Sequence, residues 1–393
     1  MSLSRPASAS VPIRPAAGMR RCASVLWRSL ATCAPGSFSN PTTGTFGATL
    51  TRTSTSHRPS PSMCAGSRTP GTRGLGCSGR RRAMPCMAAS AAVRRGVSSV
   101  SVPAGVAWIN GEFVSTAEAR VSIFDSGFMG GVSVFDTLAC WKGGIFKLRQ
   151  HLERFERSAH AAAIPLPLRG AALADVVVET TRRAGHRDAY VQVIVTRGLR
   201  YTTPPGPQPS TLIVFSIPYI WIGGEAKVDS GLSAIVPSIR NTPVSTLDPK
   251  IKNFNRFHQH LAGLEATSAG VDDVVLLDQH GYLTESRGAN VFLIQAGSLY
   301  TPALGVLQGI TRQTVFEIAE EFGLPLHERD LTPYDLYTAD EAFLSSTAGG
   351  ILPLVLVDGR RIGDGVPGPL TRRIHDRYWE RHLSGPDVTP VFA

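Results

Sequence analysis

The sequence predicts an α+β fold made of two domains, and three observations favour it. The chain has 393 residues, more than one average domain holds. Short strands and helices are mixed along it without the regular strand–helix alternation of a parallel α/β sheet. The segment 218–231 separates two such sets and is interpreted as an interdomain linker, which gives domains at 106–217 and 232–385.

The first hundred residues differ in composition from the rest of the chain. Residues 1–111 contain 14 arginines and no lysine, aspartate or glutamate, and they are rich in Ser, Thr, Ala, Gly and Pro. Such a composition buries too little apolar surface to fold, and it is typical of an organelle transit peptide. We therefore expect residues 1–100 to be a disordered transit peptide. Plastid import is the first expectation, and a short basic helix within 19–30 keeps mitochondrial import open.

The charge of the remaining chain argues against a nucleic-acid partner. Beyond residue 111, 26 of the 40 basic residues stand against all 30 acidic residues, so the chain there is mildly acidic although the whole carries +10. The sequence has no run of 18 apolar residues, so no membrane span is expected. Five of the six cysteines lie before residue 87, and Cys140 is expected to be a small buried side chain. No spacing of metal ligands is present, so no metal site is expected.

The first predicted domain opens with a hairpin over residues 107–114, because Asn110-Gly111 is a strong turn signal. The other strands are predicted from runs of β-branched and aromatic residues at 132–141, 145–147, 189–196 and 211–216. Apolar residues at three-to-four spacing predict helices at 149–163 and 173–183.

The second predicted domain repeats the mixture of strands and helices. Strands are predicted at 232–239, 273–277, 290–294, 299–301, 341–345 and 354–357. Helices are predicted at 256–268, 311–322 and 370–382.

The chain has only five lysines, which narrows the candidates for an amine nucleophile. Lys142 and Lys147 flank a predicted turn and Lys227 lies in the predicted linker, so all three are expected to be solvated. Lys250 and Lys252 follow a strand and precede a helix. A lysine at such a junction is either a surface charge or a side chain presented into a cleft, and its spacing alone leaves both open.

Four motifs occur in order after this point. They are Lys252-Asn253-Phe254-Asn255, then Gly281-Tyr282-Leu283-Thr284-Glu285 with Asn290-Val291-Phe292, then Gly309-Ile310-Thr311-Arg312, and lastly Asp340-Glu341-Ala342-Phe343 with Ser346-Thr347-Ala348-Gly349-Gly350-Ile351. Together they resemble the class IV aminotransferases, the fold-type-IV group of pyridoxal-phosphate enzymes. That group includes branched-chain and D-amino-acid aminotransferases, (R)-selective amine transaminases and aminodeoxychorismate lyase. The resemblance spans residues 108–382 and implies a homodimer with the cofactor in the interdomain cleft and the larger C-terminal domain binding it.

The resemblance implies a role for each matching residue. Lys252 would form a Schiff base with the cofactor and act as both base and acid. Glu285 would pair with the pyridine nitrogen. Arg154 would hold the phosphate through its guanidinium, with Arg157 one turn away as a surface charge. Further phosphate contacts would come from Ile310 and Thr311 at a helix start and from the turn of Ser346 and Thr347.

The substrate side departs from the closest-looking group, the (R)-selective amine transaminases. Phe135 stands where those enzymes tend to have a tyrosine, Gln192 replaces an acidic residue, and Arg256 replaces a tryptophan. Asn255-Arg256 is instead similar to bacterial aminodeoxychorismate lyases. The substrate carboxylate needs a cation, and Arg200 and Arg256 are the two candidates.

The expected activity is transfer of an amino group from an amino acid, branched-chain or D, to a 2-oxo acid by a ping-pong mechanism. Release of pyruvate from aminodeoxychorismate and (R)-selective amine transamination remain alternatives.

Overall fold

The computed structural model describes residues 101–392, so the expected transit peptide at 1–100 lies outside the described residues. The strands of this part are β1 Val106–Ile109, β2 Glu112–Ser115, β3 Ser133–Trp141, β4 Gly144–Phe146, β5 Ala189–Thr196, β6 Thr211–Pro218, β7 Leu232–Ile235, β8 Asp273–Val274, β9 Asn290–Gln295, β10 Ser298–Thr301, β11 Leu326–Glu328, β12 Glu341–Ser346, β13 Gly350–Val357, β14 Arg360–Arg361 and β15 Val388–Pro390. The helices are α1 Ser126–Gly130, α2 Leu148–Ala161, α3 Gly170–Ala184, α4 Lys227–Ser230, α5 Phe257–Ala269, α6 Ile310–Glu321, α7 Pro333–Tyr337 and α8 Pro369–Glu380.

The first sheet is antiparallel and has the strand order β15-β4-β3-β5-β6-β1-β2. Its first hairpin turns at Asn110 and Gly111, both with positive φ, as the sequence predicts. Helices α2 and α3 cover one face of the sheet through apolar side chains such as Leu152, Phe155 and Val177. Cys140 lies in the same core as a buried free thiol, as expected.

The second sheet is mixed and has the strand order β11-β10-β9-β12-β13-β7-β8, with β14 paired to β13. Its central strands are buried on both faces. In β9, Val291 and Leu293 enter one apolar core, while Phe292 and Ile294 enter another that α6 and α8 cover. The α+β fold class is therefore confirmed.

Several element bounds differ from the prediction, and proline accounts for two of the differences. The strand predicted at 232–239 ends at Ile235, because Pro237 has no N–H to donate to a ladder. Strand β13 starts at Gly350, four residues before its predicted start, and Pro353 lies within it. The strand predicted at 273–277 is reduced to Asp273–Val274.

The expectation that Lys147 is solvated is wrong. Its side chain is 2% exposed, and its ammonium group lies 2.6 and 2.7 Å from the two carboxylate oxygens of Glu317 on α6. A turn that looks exposed in the sequence is covered here by a helix from far along the chain. Lys142 is exposed as expected, whereas Lys227 is half-buried beside Asp272. No helix of the described part is long and apolar enough to cross a membrane.

Candidate active site

A cavity of about 370 Å³ contains most of the residues singled out in the sequence. Of the candidate cofactor residues, all seven line it: Arg154, Lys252, Glu285, Ile310, Thr311, Ser346 and Thr347. The volume lies within the range of pockets that hold small molecules.

Lys252 lies on a segment that is fixed to the first sheet. Its backbone N–H donates to Ser158 Oγ at 3.2 Å, and its carbonyl accepts from the N–H of Phe135 on β3 at 2.9 Å. Its ammonium nitrogen lies 4.8 Å from the centre of the Phe135 ring. Burial, reinforced by the nearby Arg154, lowers the pKa of Lys252 to about 7. This lysine is therefore available as a neutral amine near physiological pH.

Arg154 is held by an acid that the sequence analysis missed. Asp136, fully buried in the middle of β3, accepts from Arg154 Nε and Nη2, both at 2.8 Å. It also lies 2.8 Å from His151 Nδ1. Burial acts to raise the pKa of Asp136, but Arg154 and His151 outweigh it and hold that pKa well below the usual value. A lone acid in an apolar strand is the signal that could have revealed this group.

Glu285 faces the cavity from the segment before β9. Its Oε2 accepts from the backbone N–H of Leu307 at 3.0 Å. Burial raises the pKa of Glu285, although that hydrogen bond and the nearby Arg256 and Lys252 oppose the change. A cationic group in the cavity would therefore stabilise the ionised carboxylate.

The start of α6 offers unpaired backbone N–H groups to the cavity. Gly309 precedes the helix, and no side chain caps it. Arg154 Nη1 donates to the carbonyl of Gln308 at 3.0 Å, which places this guanidinium beside the helix start. Thr311 Oγ1 lies 3.4 Å from the hydroxyl of the buried Tyr378. Together, a helix N-terminus and an arginine favour an anion.

The turn after β12 completes that side of the cavity. Ser346 Oγ donates to the carbonyl of Gly288 at 2.9 Å. The hydroxyl of Tyr219, a residue that the sequence analysis did not single out, donates to the carbonyl of Thr347 at 2.7 Å and accepts from the N–H of Gly349 at 2.7 Å. Tyr219, which does not line the cavity, therefore stabilises the turn through two hydrogen bonds.

The four candidate substrate residues divide into two pairs. Phe135 and Arg256 line the cavity, with Tyr190, which the sequence analysis did not name as a site residue, beside them. Gln192 lies behind the wall, where its amide donates to Tyr190 Oη at 2.9 Å. Arg200 is exposed on a loop, 5.4 Å from the ring of Tyr201, and does not line the cavity.

Two histidines, His258 and His260, lie on α5. His258 Nε2 lies 3.0 Å from Asn241 Oδ1, while His260 is exposed. Within residues 101–392, no three His, Cys, Asp or Glu side chains are grouped as metal ligands would be.

Comparisons with known proteins agree with this geometry. Residues 133–357 match the sequence profile of the family described as amino-transferase class IV. A putative branched-chain-amino-acid aminotransferase of Methanocaldococcus jannaschii is 38% identical over 275 residues, which cover 69% of this chain and 94% of that protein. A branched-chain-amino-acid aminotransferase-like protein of Arabidopsis thaliana is 34% identical over 70% of this chain, and this chain spans about half of its length (49%).

Solved structures show the same fold. The branched-chain amino acid aminotransferase of Escherichia coli superposes with a TM-score of 0.70 at 28% identity, covering 74% of this chain and all of that chain. The branched-chain amino acid aminotransferase of Thermobaculum terrenum, solved in its PLP form, superposes with a TM-score of 0.68 at 28% identity, covering 74% of this chain and 99% of that chain. The chain therefore belongs to the class IV aminotransferases and is a pyridoxal-phosphate-dependent enzyme.

Proposed function

We propose that the chain transfers the amino group of a branched-chain amino acid to a 2-oxo acid. This proposal rests on the apolar side chains that line the cavity around Lys252. Phe135, Phe215, Ile217, Ile220 and Ile222 line it. Such a wall favours branched aliphatic side chains, since each buried methylene group contributes about 0.8 kcal/mol. The names of the relatives support the same substrate class.

The residues of the cavity fit the cofactor that the family requires. The start of α6, the turn at Ser346 and Thr347, and Arg154 form a cradle for a phosphate group. Arg154 directs three of its five N–H groups to Asp136 and Gln308, which leaves two for phosphate oxygens. Glu285 would accept from the pyridine nitrogen, and the amine of Lys252 would bind the carbonyl carbon.

Pyridoxal phosphate, when bound, supplies the carbonyl group that exchanges with the amino group and a ring that stabilises the electron pair of a carbanion. Lys252 Nζ would take the proton from the α-carbon of the amino donor as a base, and its ammonium form would return that proton as an acid. A pKa of about 7 suits both steps, because the amine is neutral as a base and its conjugate acid is a competent donor. The carboxylate of Glu285 would pair with the ring nitrogen of the cofactor and favour its protonated form.

A panel of donors tests the substrate class. With a 2-oxo acid in excess, kcat/KM for L-leucine, L-isoleucine and L-valine should exceed that for L-alanine by about 10-fold or more, since each has at least two more side-chain carbons to bury at about 0.8 kcal/mol per carbon. Activity with D-amino acids alone, or with (R)-amines alone, would replace the branched-chain proposal with one of the two stereochemical alternatives.

A second candidate, aminodeoxychorismate lyase, is favoured by one observation. Arg256, which is similar to a lyase residue, lines the cavity and could bind an acidic ring substituent. Incubation with aminodeoxychorismate decides between the two. A transaminase converts the bound cofactor with an amino donor alone and releases no pyruvate, whereas a lyase releases pyruvate.

We further propose that residues 1–100 direct the chain into a plastid. We also propose that residues 101–392 divide at residues 218–231, because β1 to β6 belong to the first sheet and β7 to β14 to the second. The acid-free, arginine-rich composition of residues 1–100 supports import. The Methanocaldococcus jannaschii protein aligns over 94% of its own length with only 69% of this chain, so this chain has additional residues. Residues 1–100 fused to a fluorescent protein should accumulate in plastids. Accumulation in mitochondria would favour the alternative leader, and a cytosolic signal would contradict both.

We also propose that the chain forms a homodimer through an exposed apolar surface. We define this surface by the large apolar residues at least 40% exposed between 121 and 132 and between 199 and 201: Val121, Ile123, Phe124, Phe128, Met129, Val132, Leu199 and Tyr201. The two segments are joined by hydrogen bonds, such as Ser126 N–H to the Gly198 carbonyl at 2.9 Å. Monomers seldom expose large clusters of apolar side chains. Sedimentation should show a dimer that Phe128→Asp converts to a monomer. A monomeric wild type would contradict the proposal.

A further inference from the structure

Lys147 is a buried cation at a position that its local structure disfavours. It is the residue before α2, and its backbone is left-handed with a φ of 50°, a conformation that residues other than glycine seldom adopt. A positive charge at the start of a helix is also opposed by the positive end of the helix dipole, and the first turn of α2 contains no acid. The charge of Lys147 must therefore be compensated by a residue from elsewhere in the chain.

The compensating acid is Glu317 on α6. Both of its carboxylate oxygens accept from Lys147 Nζ, at 2.6 and 2.7 Å, whereas the carboxylate of Asp387 lies farther away at 3.9 Å. Glu317 also accepts from Arg381, beside the end of α8, at 2.9 Å. One carboxylate thus joins the start of α2 to α6 and to the end of α8.

The apolar side chains of α2 and α6 pack in different cores. Leu152 and Phe155 of α2 belong to the core of the first sheet. Val315 and Ile318 of α6 belong to a core against the second sheet. Because the buried apolar residues of the two helices share no core within residues 101–392, polar contacts between the helices set how they lie relative to each other.

A second polar contact joins the two helices about two turns away from the first. Arg154 Nη1 donates to the carbonyl of Gln308, just before α6, at 3.0 Å. Along α2, Lys147 and Arg154 are seven residues apart, which is about 10 Å. Along α6, Glu317 lies seven residues after the first residue of the helix. Two contacts at this matched spacing fix both the distance and the tilt between the helices, and so the separation between the Arg154 guanidinium and the start of α6.

We infer that Lys147 and Glu317 are positioning residues for the phosphate group of the cofactor. The inference rests on the phosphate cradle proposed above, in which Arg154 and the start of α6 bind the same anion. A phosphate held between two elements needs both at hydrogen-bond distance, since such bonds weaken steeply with poor geometry. Neither Lys147 nor Glu317 lines the cavity, so both act through the helices and not by contact with the anion.

Lys147→Met tests the inference with little risk to folding. Methionine keeps a long unbranched side chain, and Glu317 remains paired with Arg381, so no buried charge is left uncompensated. The dissociation constants are measured for pyridoxal phosphate and for pyridoxal, which lacks the phosphate, with apoenzyme prepared from the holoenzyme. Binding of pyridoxal phosphate should weaken by about 10-fold, the effect of losing one charge-assisted hydrogen bond. Binding of pyridoxal should change by less than about 2-fold, because no contact to the ring is altered.

Glu317→Gln and the double variant show whether the two residues act as a pair. Glu317→Gln removes the other charge and should change the ratio of the two dissociation constants in the same direction. In the double variant the effects on this ratio should not add, because either substitution alone already breaks the contact. Lys142→Met is the matched control. Lys142 also has a φ of 50° and an acidic partner, Asp188, but it is exposed, so this variant should keep the wild-type ratio.

The outcomes that overturn the inference are specific. A wild-type ratio in both Lys147→Met and Glu317→Gln would show that the ion pair does not position the phosphate site. An equal loss of affinity for pyridoxal phosphate and pyridoxal would indicate a general structural defect, and additive effects in the double variant would contradict action as a pair. A wild type that binds pyridoxal as tightly as pyridoxal phosphate would instead overturn the proposed phosphate cradle.

Discussion

Asp136 and Arg154 form a buried bidentate ion pair, in which Arg154 Nε lies 2.8 Å from Asp136 Oδ2 and Arg154 Nη2 lies 2.8 Å from Asp136 Oδ1. The acid comes from the middle of β3 and the arginine from α2. Because both side chains are almost fully buried, their charges are paired at short range with little screening by water. This pair orients the guanidinium toward the start of α6, where the cofactor phosphate is proposed to bind.

Asp136→Asn tests the positioning role of this pair. The substitution removes the negative charge and one of the two strong acceptors, so the affinity for pyridoxal phosphate should fall about 10- to 100-fold. The unfolding free energy should fall by about 3–5 kcal/mol, as for other broken buried pairs. Cofactor titration of the apoenzyme and denaturant unfolding measure the two effects. Asp175→Asn on the exposed face of α3 is the matched control and should change neither. Wild-type cofactor affinity in Asp136→Asn would show that Arg154 needs no orienting acid.

The pH dependence of Lys252 follows from its lowered pKa. Below about pH 7 the amine is protonated and cannot attack, and above it the neutral form dominates. In the apoenzyme, pulse acylation of Lys252 read by mass spectrometry should therefore rise with a midpoint near pH 7. A short peptide containing the same lysine should titrate near its ordinary value of about 10.4. A midpoint for Lys252 close to that of the peptide would mean that burial and Arg154 do not act on it as described.

Glu285→Gln separates binding of the cofactor from its activation. The amide retains the size of the side chain and loses the charge, so the ring nitrogen would no longer be held protonated. We expect kcat to fall by about 10²- to 10³-fold, the usual effect of losing a placed electrostatic partner, while the cofactor still binds. Glu153→Gln, on the exposed side of α2, serves as the control. Loss of cofactor binding with no separate effect on kcat would assign Glu285 to binding alone.

Tyr219→Phe tests whether the turn at Thr347 depends on the hydroxyl behind it. The variant loses a donor to the carbonyl of Thr347 and an acceptor for the N–H of Gly349, and two hydrogen bonds contribute about 1–3 kcal/mol. The cofactor affinity should fall by about 5- to 50-fold, and inorganic phosphate should protect the apoenzyme less against heat. Unchanged phosphate protection would indicate that the turn is stable without Tyr219.

Local patterns predict much of the fold. The Asn110-Gly111 hairpin, strand β5 and helix α6 follow from turn signals and periodicity, which depend on neighbours in the chain. Burial of Lys147 could not be predicted in this way, because the acid that pairs with it, Glu317, is 170 positions away. The start of β13 could not be predicted for a related reason. A proline such as Pro353 argues against a strand in the sequence, and whether it is tolerated depends on the neighbouring strands.

The candidate site shows the same limit. Six of the seven candidate cofactor residues occur in recognisable motifs, and the structure brings them and Arg154 to one cavity. Asp136 and Tyr219 do not line the cavity, but they hold Arg154 and Thr347 in place through hydrogen bonds between distant segments. The spacing of residues within a motif does not predict such contacts. The resemblance implies Gln192 as a substrate residue, but its side chain does not line the cavity and instead donates to Tyr190 Oη.

Borohydride reduction of the holoenzyme tests most directly whether Lys252 carries the cofactor. Reduction fixes the cofactor on the lysine that holds it, and trypsin does not cleave after a modified lysine. A label on Lys252 predicts the peptide 251–256, uncut at Lys252 and heavier by the reduced cofactor. A label on Lys250 would instead give a modified peptide 241–252, and that result, or no labelled peptide at all, would contradict the account.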